Sequence, residues 1–303
     1  MKKLFLGLLF VALSASAQKQ QTLTYFANDT LKLELDLFLP EKMPKEPIPL
    51  IIHVHGGGFS GGERQSGYDF CKYLAQNGYA AATISYTLYM KNKKFSCDGQ
   101  LTEKVKAFQF GANDIWLATS YFLKNKDKFG IDASKIFVSG ISAGAEALLH
   151  AAYWDRKSMS LYPNNLPDTF KYAGLISGAG AIMDLNLITQ DNLVPMLLYH
   201  GNGDKTVPYA TAAHHYCPPG SSGWLMLFGS YSIFGRIGEL EGSGALYTYC
   251  GGGHEYSGFV IEKEPQRILA FMNKVLSGER LMTHDIIQTG KSNELSSAYD
   301  FCH

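Results

Sequence analysis

From Leu23 to Leu39 apolar residues alternate with polar ones. Leu31, Leu33, Leu35, Leu37 and Leu39 fall on one face, with Lys32, Glu34, Asp36 and Phe38 on the other. A period of two predicts a β-hairpin that opens a sheet. A proline-rich connector, Pro40 to Pro49, follows. Leu50 to His55 is an unbroken β-type run, the pattern of a strand buried on both faces. It runs into Gly56-Gly57-Gly58-Phe59-Ser60-Gly61-Gly62. Tyr68 to Asn77 reads as a helix ended by Gly78, and Tyr79 to Ser85 as the next strand. Lys91 to Leu101 is a polar, solvated loop, and Val105 to Phe122 has helical period.

Lys135 to Ser139 is a strand and Ala145 to Ala152 a helix, joined by Gly140-Ile141-Ser142-Ala143-Gly144. Later strands are Tyr172 to Ser177, ending in Gly178-Ala179-Gly180, and Pro195 to His200, ending in Gly201-Asn202-Gly203-Asp204. Tyr209 to Tyr216 is read as helical, and Cys217 to Gly244 is glycine-rich and resists assignment. Ala245 to Tyr249 is a last short strand before Gly251-Gly252-Gly253-His254, and Pro265 to Leu276 a closing helix. There is no internal repeat and no low-complexity block. Strands alternating with helices predict an α/β fold: a mostly parallel central sheet with helices on both faces.

The 303 residues, 46% hydrophobic and 18% charged, suit one large domain with a full core. Formal net charge is zero, which makes nucleic acid and anionic membrane poor partners. The N-terminus has the form of an export signal: Lys2-Lys3, an apolar run from Leu4 to Leu13, then Ala15-Ser16-Ala17. Residues 1-17 are expected to be removed, leaving Gln18 first in a protein sent to a bacterial periplasm or beyond. The apolar run is too short for a membrane span. An oxidising compartment permits disulfides among Cys71, Cys97, Cys217, Cys250 and Cys302. If one pair forms, Cys217 with Cys250 is the first choice, because both flank one segment. Burial of the thiols as plain apolar residues is the equal alternative.

G-x-S-x-G between a strand and a helix is the context of a nucleophile elbow, in which a sharp turn holds the serine hydroxyl clear of the sheet. The competing reading is Ser142 as a helix cap. Three glycines after Val54-His55 leave backbone N–H groups uncovered. No Walker-type or dinucleotide pattern is present, so a phosphate cradle is not indicated. In such a sheet, sites gather at the carboxyl ends of the strands. Gly56 to Gly58, Ser142, Asp204 and His254 all lie at such ends.

By these four motifs, with His200-Gly201-Asn202-Gly203-Asp204-Lys205-Thr206-Val207-Pro208 around the acid, the chain resembles an α/β-hydrolase of the esterase/lipase group. The resemblance runs from Leu31 to Leu276. It implies the α/β-hydrolase fold over residues 18-278. The residues after Gly278, 279-303, read as a polar C-terminal tail lying loosely on the body. The resemblance also implies a Ser-His-Asp triad of Ser142, His254 and Asp204. The backbone N–H groups of Ala143, Gly57 and Gly58 would bind the oxyanion. No metal or organic cofactor is needed. Around Asp114, Gly130-Ile131-Asp132 and Ser142 to Ala147, the chain is similar to bacterial exported esterases that take acetyl or feruloyl groups from plant polysaccharides. The expected partner is a small or glycan-linked ester; oligomeric state is open.

Other residues carry competing readings. Asp184 is the runner-up acid and Asp191 the third. His214-His215 and His284 are rival bases; a zinc site on His214 or His215 lacks a third ligand. His200 is read as structural, and His53, His55 and His150 as core histidines. Glu146, one turn after Ser142, is a helix N-terminal charge or a brace behind the oxyanion loop or the histidine. Phe59, Tyr86 and Tyr89 suit either an acyl or sugar platform or the core. Thr87 stands where the family often has arginine, which removes a supporting ion pair. Ser160 to Asp168 and Cys217 to Gly244 are the candidate pocket walls. Without a large apolar lid, short or aromatic acyl esters fit better than long lipids. The alternatives are a serine peptidase of the prolyl-oligopeptidase type and a non-catalytic binder on a hydrolase scaffold.

Overall fold

A computed structural model describes residues 19–302. The expected signal peptide, residues 1–17, lies outside the described residues. Three strands open the chain: β1 (Lys19–Ala27), β2 (Lys32–Leu39) and β3 (Ile48–Val54). Then come α1 (Tyr68–Gln76), β4 (Ala80–Ile84), α2 (Leu101–Lys124), α3 (Lys126–Phe129), β5 (Ile131–Ile141) and α4 (Ala143–Tyr153). Next are α5 (Arg156–Met159), β6 (Gly174–Gly178), β7 (Ala181–Ile182), β8 (Met196–Gly201), β9 (Thr211–Ala213), β10 (Met226–Gly229) and α6 (Ser230–Glu239). The chain finishes with β11 (Gly244–Cys250), α7 (Phe259–Lys263), α8 (Pro265–Leu276) and β12 (Met282–Gln288).

Nine strands form one sheet in the order β1-β2-β4-β3-β5-β6-β8-β11-β12. The hairpin β1/β2 and the pair β2/β4 are antiparallel; from β4 to β12 every neighbouring pair is parallel. Side chains alternate along a strand, so each parallel strand feeds two cores. Leu50, Ile52 and Val54 of β3 pack with Phe108, Ile115 and Trp116 of α2 and Leu148 and Leu149 of α4. Ile51 faces the other way, into the core of Phe70 and Leu74 of α1 with Ile268 and Phe271 of α8. Both faces are covered, as the mostly apolar β-type run of β3 requires. Trp116 Nε1–H donates to the Ala151 carbonyl at 2.7 Å and ties α2 to α4.

The hairpin's outer face is less solvated than its pattern suggests. Asp36 is fully buried, its carboxylate accepting from Thr22 Oγ1 at 2.5 Å, Arg64 Nε at 2.5 Å and Tyr68 OH at 2.8 Å. A buried carboxylate persists only with such partners.

Two expectations are corrected, and the one unassigned stretch is resolved. Tyr209 to Tyr216 is not a helix: β9 and a short 3-10 turn lie there, and His215 at φ 57° breaks any helical run. The glycine-rich stretch supplies β10, which joins β7 and β9 in a small antiparallel sheet, and then α6. The segment after Gly278 is no loose tail. β12 pairs in parallel with β11 from Gly244↔Met282 to Cys250↔Gln288 and forms the sheet edge. Its mixed residues carry no apolar alternation because it is largely exposed. Among the described residues, no helix is long and apolar enough to cross a membrane.

The cysteines also pair otherwise than expected. Cys97 bonds Cys217, and Cys250 bonds Cys302; Cys71 is free and buried. Cys217 and Cys250 flank one segment, but β10 and α6 fill it and carry the two apart. Each instead meets a cysteine from a distant loop, 120 and 52 residues away along the chain.

Candidate active site

The turn from β5 into α4 shapes the site. Ser142 sits at φ 52° and ψ −124°, a strained conformation for a residue with a side chain. Its own N–H donates to the Gly178 carbonyl at 2.8 Å, which anchors the turn to the end of β6. The flanking glycines are steric necessities. A Cβ on Gly144 would lie 2.2 Å from the Val54 carbonyl oxygen, and one on Gly140 would lie 2.5 Å from the Gly144 backbone.

Ser142 Oγ stands 2.8 Å from His254 Nε2, and His254 Nδ1 stands 2.6 Å from Asp204 Oδ2. The serine comes from the end of β5, the aspartate from the loop after β8 and the histidine from the turn after β11. Asp204 is fully buried, and its other oxygen, Oδ1, accepts the N–H groups of Thr206 at 2.7 Å and Val207 at 3.1 Å. Burial works against its charge, but the hydrogen bonds from His200 and His254 outweigh burial. They hold the carboxyl well below the usual carboxylate range. With Nδ1–H given to this carboxylate, His254 Nε2 is free to accept the serine proton.

His200, read from sequence as structural, is a second imidazole on the same acid. Its Nε2 lies 3.2 Å from Asp204 Oδ2 and 3.2 Å from the Val207 carbonyl, and Nδ1 faces Ser230 Oγ at 3.0 Å. The sequence signal was its spacing, four residues before Asp204 at the end of a strand.

The glycine loop after β3 passes beside the serine. A Cβ on Gly56 would stand 3.3 Å from that of Ser142. Among the described residues no acceptor takes the Gly57 or Gly58 N–H, while the Gly57 carbonyl turns away to accept from Ser60 and Gly61. Ala143 is the first residue of α4, where N–H groups are unpaired and the helix end is positive.

Phe59 and Tyr86, expected to touch substrate, do not reach the cleft. Phe59 is fully buried against Tyr86, Phe95 and Phe108. Tyr86 is buried over His55 and donates to the His55 carbonyl at 3.1 Å. Both pack behind the glycine loop, because the loop turns back after Gly58 and carries Phe59 inward. The two other acids considered, Asp184 and Asp191, are exposed and away from this cleft. Asp184 caps a short turn through the Asn186 N–H. Thr87 offers Asp114 its backbone N–H at 2.7 Å, and burial pushes the Asp114 carboxyl up to about 6.

A cavity of about 570 Å³ opens in front of Ser142. Beyond Ser142, His254 and the glycine loop, its wall holds Phe95, Glu146, His214 and His215. The Cys97–Cys217 disulfide staples the Phe95 loop to the His214-His215 turn, and Gly223 N–H donates to the Cys97 carbonyl at 3.0 Å. The stretch Ser160 to Asp168 is no wall of this cavity; Asp168 lines a separate cleft beside Trp154 and Tyr172. Among the described residues, no group of three or more His, Cys, Asp or Glu is placed to hold a metal ion.

Glu146 is almost fully buried. Burial pushes its carboxyl up to about 8, with Lys104 opposing and Asp204 adding to the rise. An unfolded glutamate loses its proton near 4.3. Between these values the folded chain holds more protons than the unfolded one, so stability falls as pH rises through that window. Glutamine does not titrate. Glu146→Gln is therefore expected to gain in Tm over the wild type as thermal melts move from pH 5 to pH 8. Parallel melting curves would show that the carboxyl ionises freely.

The nearly all-parallel sheet, the strained serine at the end of its central strand and the acid and histidine on the following loops define an α/β-hydrolase. Residues 35–192, more than half of the chain, match the family described as BD-FAE, and the chain belongs to that family. Fumonisin B1 esterase of Sphingopyxis macrogoltabida is 32% identical over 119 residues, which are 38% of this chain and 22% of that protein. Gut esterase 1 of Caenorhabditis elegans is 33% identical over 118 residues, 38% of this chain and 20% of that one. The matched stretch is thus about a fifth of the length of these curated relatives. Thermogutta terrifontis esterase 2, phosphorylated by paraoxon, superposes with a TM-score of 0.62 at 16% identity, over 86% of this chain and 95% of that one. Its butyrate-bound form gives 0.62 at 16% identity, covering 86% and 95%. At such identity the likeness establishes the fold.

Proposed function

We propose that this protein hydrolyses carboxylic esters through an acyl-enzyme on Ser142. The observation that carries the reading is the unbroken chain of contacts from Ser142 Oγ through His254 to the buried Asp204 carboxylate. His254 takes the serine proton as Oγ attacks the ester carbonyl, then hands it to the departing alcohol. Asp204 fixes the imidazole tautomer and stabilises the imidazolium. The N–H groups of Gly57, Gly58 and Ala143 receive the tetrahedral oxyanion; a single donor of this kind is worth about 3–4 kcal/mol in the transition state. Water, activated by the same histidine, then releases the acid. The named esterases among the relatives support ester over amide substrates.

The finer reading is an exported enzyme that removes acetyl or feruloyl groups from plant polysaccharides. Two disulfides suit an oxidising compartment and so support export. The cavity of about 570 Å³ in front of Ser142 has room for a short or aromatic acyl group.

The test is release of p-nitrophenol from acetyl, butyryl and longer p-nitrophenyl esters, with paraoxon as the covalent probe. Hydrolysis that paraoxon stops, with the label on the peptide carrying Ser142, is the expected result. A turnover that survives complete labelling of Ser142, or no turnover at all, overturns the reading.

A further inference from the structure

The wall of the cavity beside the nucleophile carries buried polar atoms that nothing in the protein satisfies. Glu146 Oε1, His214 Nδ1 and His215 Nε2 are all out of solvent and have no hydrogen-bond partner. Glu146 and His214 are each about 1% exposed, and their nearest approach, Oε1 to Nε2 at 3.5 Å, makes no hydrogen bond. Leaving such an atom buried and unpaired forfeits its hydration with nothing gained in return. Three of them on one cavity wall need an explanation, and the proposed triad chemistry uses none of them.

We propose that Glu146, His214 and His215 form a subsite that binds a hydroxyl group carried by the ester substrate. The inference rests on the ester-hydrolase reading above and adds what that reading leaves open, the chemistry recognised next to the scissile bond.

Three observations support it. The place is close to the reaction: Glu146 follows Ser142 by one helical turn, and its N–H donates to the Ser142 carbonyl at 2.9 Å. The wall is rigid. The Cys97–Cys217 disulfide joins its two loops, and Lys104 Nζ behind it donates to the Gly223 carbonyl at 2.6 Å. The groups are polar without charge at neutral pH. Burial pushes the Glu146 carboxyl up to about 8, holds His214 well below the usual imidazole range and takes His215 down to about 4. A protonated carboxyl and two neutral imidazoles each offer both a donor and an acceptor. A hydroxyl matches that set, because it too donates and accepts. The ring of Phe95, 5.1 Å from that of His214, gives the carbon beside such a hydroxyl an apolar surface.

The hydroxyl can arrive on the acyl group or on the alcohol, and matched pairs separate the two. Ethyl 3-hydroxybutyrate against ethyl butyrate tests the acyl side. Glycerol monobutyrate against propyl butyrate tests the alcohol side. In one pair the wild type is expected to favour the hydroxylated ester by about 10-fold or more in kcat/KM, since a site built for a hydroxyl discriminates strongly against its absence. His215→Leu and Glu146→Leu should bring that ratio close to one, and Glu146→Gln, which keeps a donor and an acceptor, should retain it. The plain ester is the reference within each variant, so a general loss of catalysis or folding cancels. Ser142-dependent turnover with no preference in either pair overturns the subsite and leaves the hydrolase reading standing. So does a preference that both leucine variants keep. No turnover of any ester overturns the hydrolase reading and the subsite with it.

Discussion

Ser142→Ala is expected to lower kcat on p-nitrophenyl acetate by about 10⁴- to 10⁶-fold, with KM little changed. Without Oγ there is no atom to form the acyl-enzyme. His254 and the proposed oxyanion donors remain, and a small residual rate over water is expected from them. The variant should fold as the wild type does. Alanine meets the same strain at φ 52° as serine, and the anchoring N–H to the Gly178 carbonyl is a backbone bond. Activity that falls less than about 100-fold, in a variant with an unchanged Tm, would mean that another group carries the nucleophile.

Asp204→Asn is expected to cost about 10⁴-fold in kcat, because a neutral amide in the acid's place leaves the histidine in the wrong tautomer. The surroundings of Asp204 decide which way an asparagine would lie. The Thr206 and Val207 N–H groups both point at Oδ1, so the amide oxygen must go there. The amide NH2 then faces His254 Nδ1, which has to accept. That places the imidazole proton on Nε2, toward Ser142, where it cannot act as a base. Raising the pH should not rescue the variant, since no carboxylate can reappear. In the wild type, the loss of rate on acidification cannot come from Asp204, whose carboxyl is held well below the usual range. Its stabilising effect runs in the matching direction. It is complete above the unfolded value of about 3.9 and is lost only as pH falls from there toward the folded value. A variant whose kcat is within about 10-fold of the wild type would remove Asp204 from the proposed triad.

The ends of the strands were the legible part of this chain. β3, β5, β8 and β11 each carry a β-type run into a glycine turn, and glycine there has a steric reason that a sequence can display. Ser142, Asp204 and His254 follow from those turns and stand in one hydrogen-bonded line. Side chains that depend on what lies across the molecule were not legible. Phe59 and Tyr86 sit beside the right loop, but nothing in the local sequence shows that both rings turn into the core. His214 and His215 read along the sequence as rival bases or a zinc site, because the turn that sets them in the cavity wall rests on β9, β10 and a disulfide to Cys97. Cysteine pairing is set by distance in space, and 120 residues separate Cys97 from Cys217. β12 escaped notice because an exposed edge strand needs no apolar face.

The segment that follows β12 reaches both loops of the acid and the base. Asn293 Nδ2 donates to the Gly203 carbonyl at 3.3 Å and the Gly251 carbonyl at 3.4 Å, and so bridges the loop of Asp204 and the turn before His254. Asn202 Nδ2 donates to Cys302 Sγ at 3.1 Å, while its side-chain Oδ1 accepts the Gly251 N–H at 2.7 Å. During synthesis, Ser142, Asp204 and His254 are all added to the chain before Asn293 and Cys302. A nascent chain at that point owns every reactive group but lacks the bridge and the staple that hold two of them together. The geometry of the site is thus completed by residues that arrive after its chemistry.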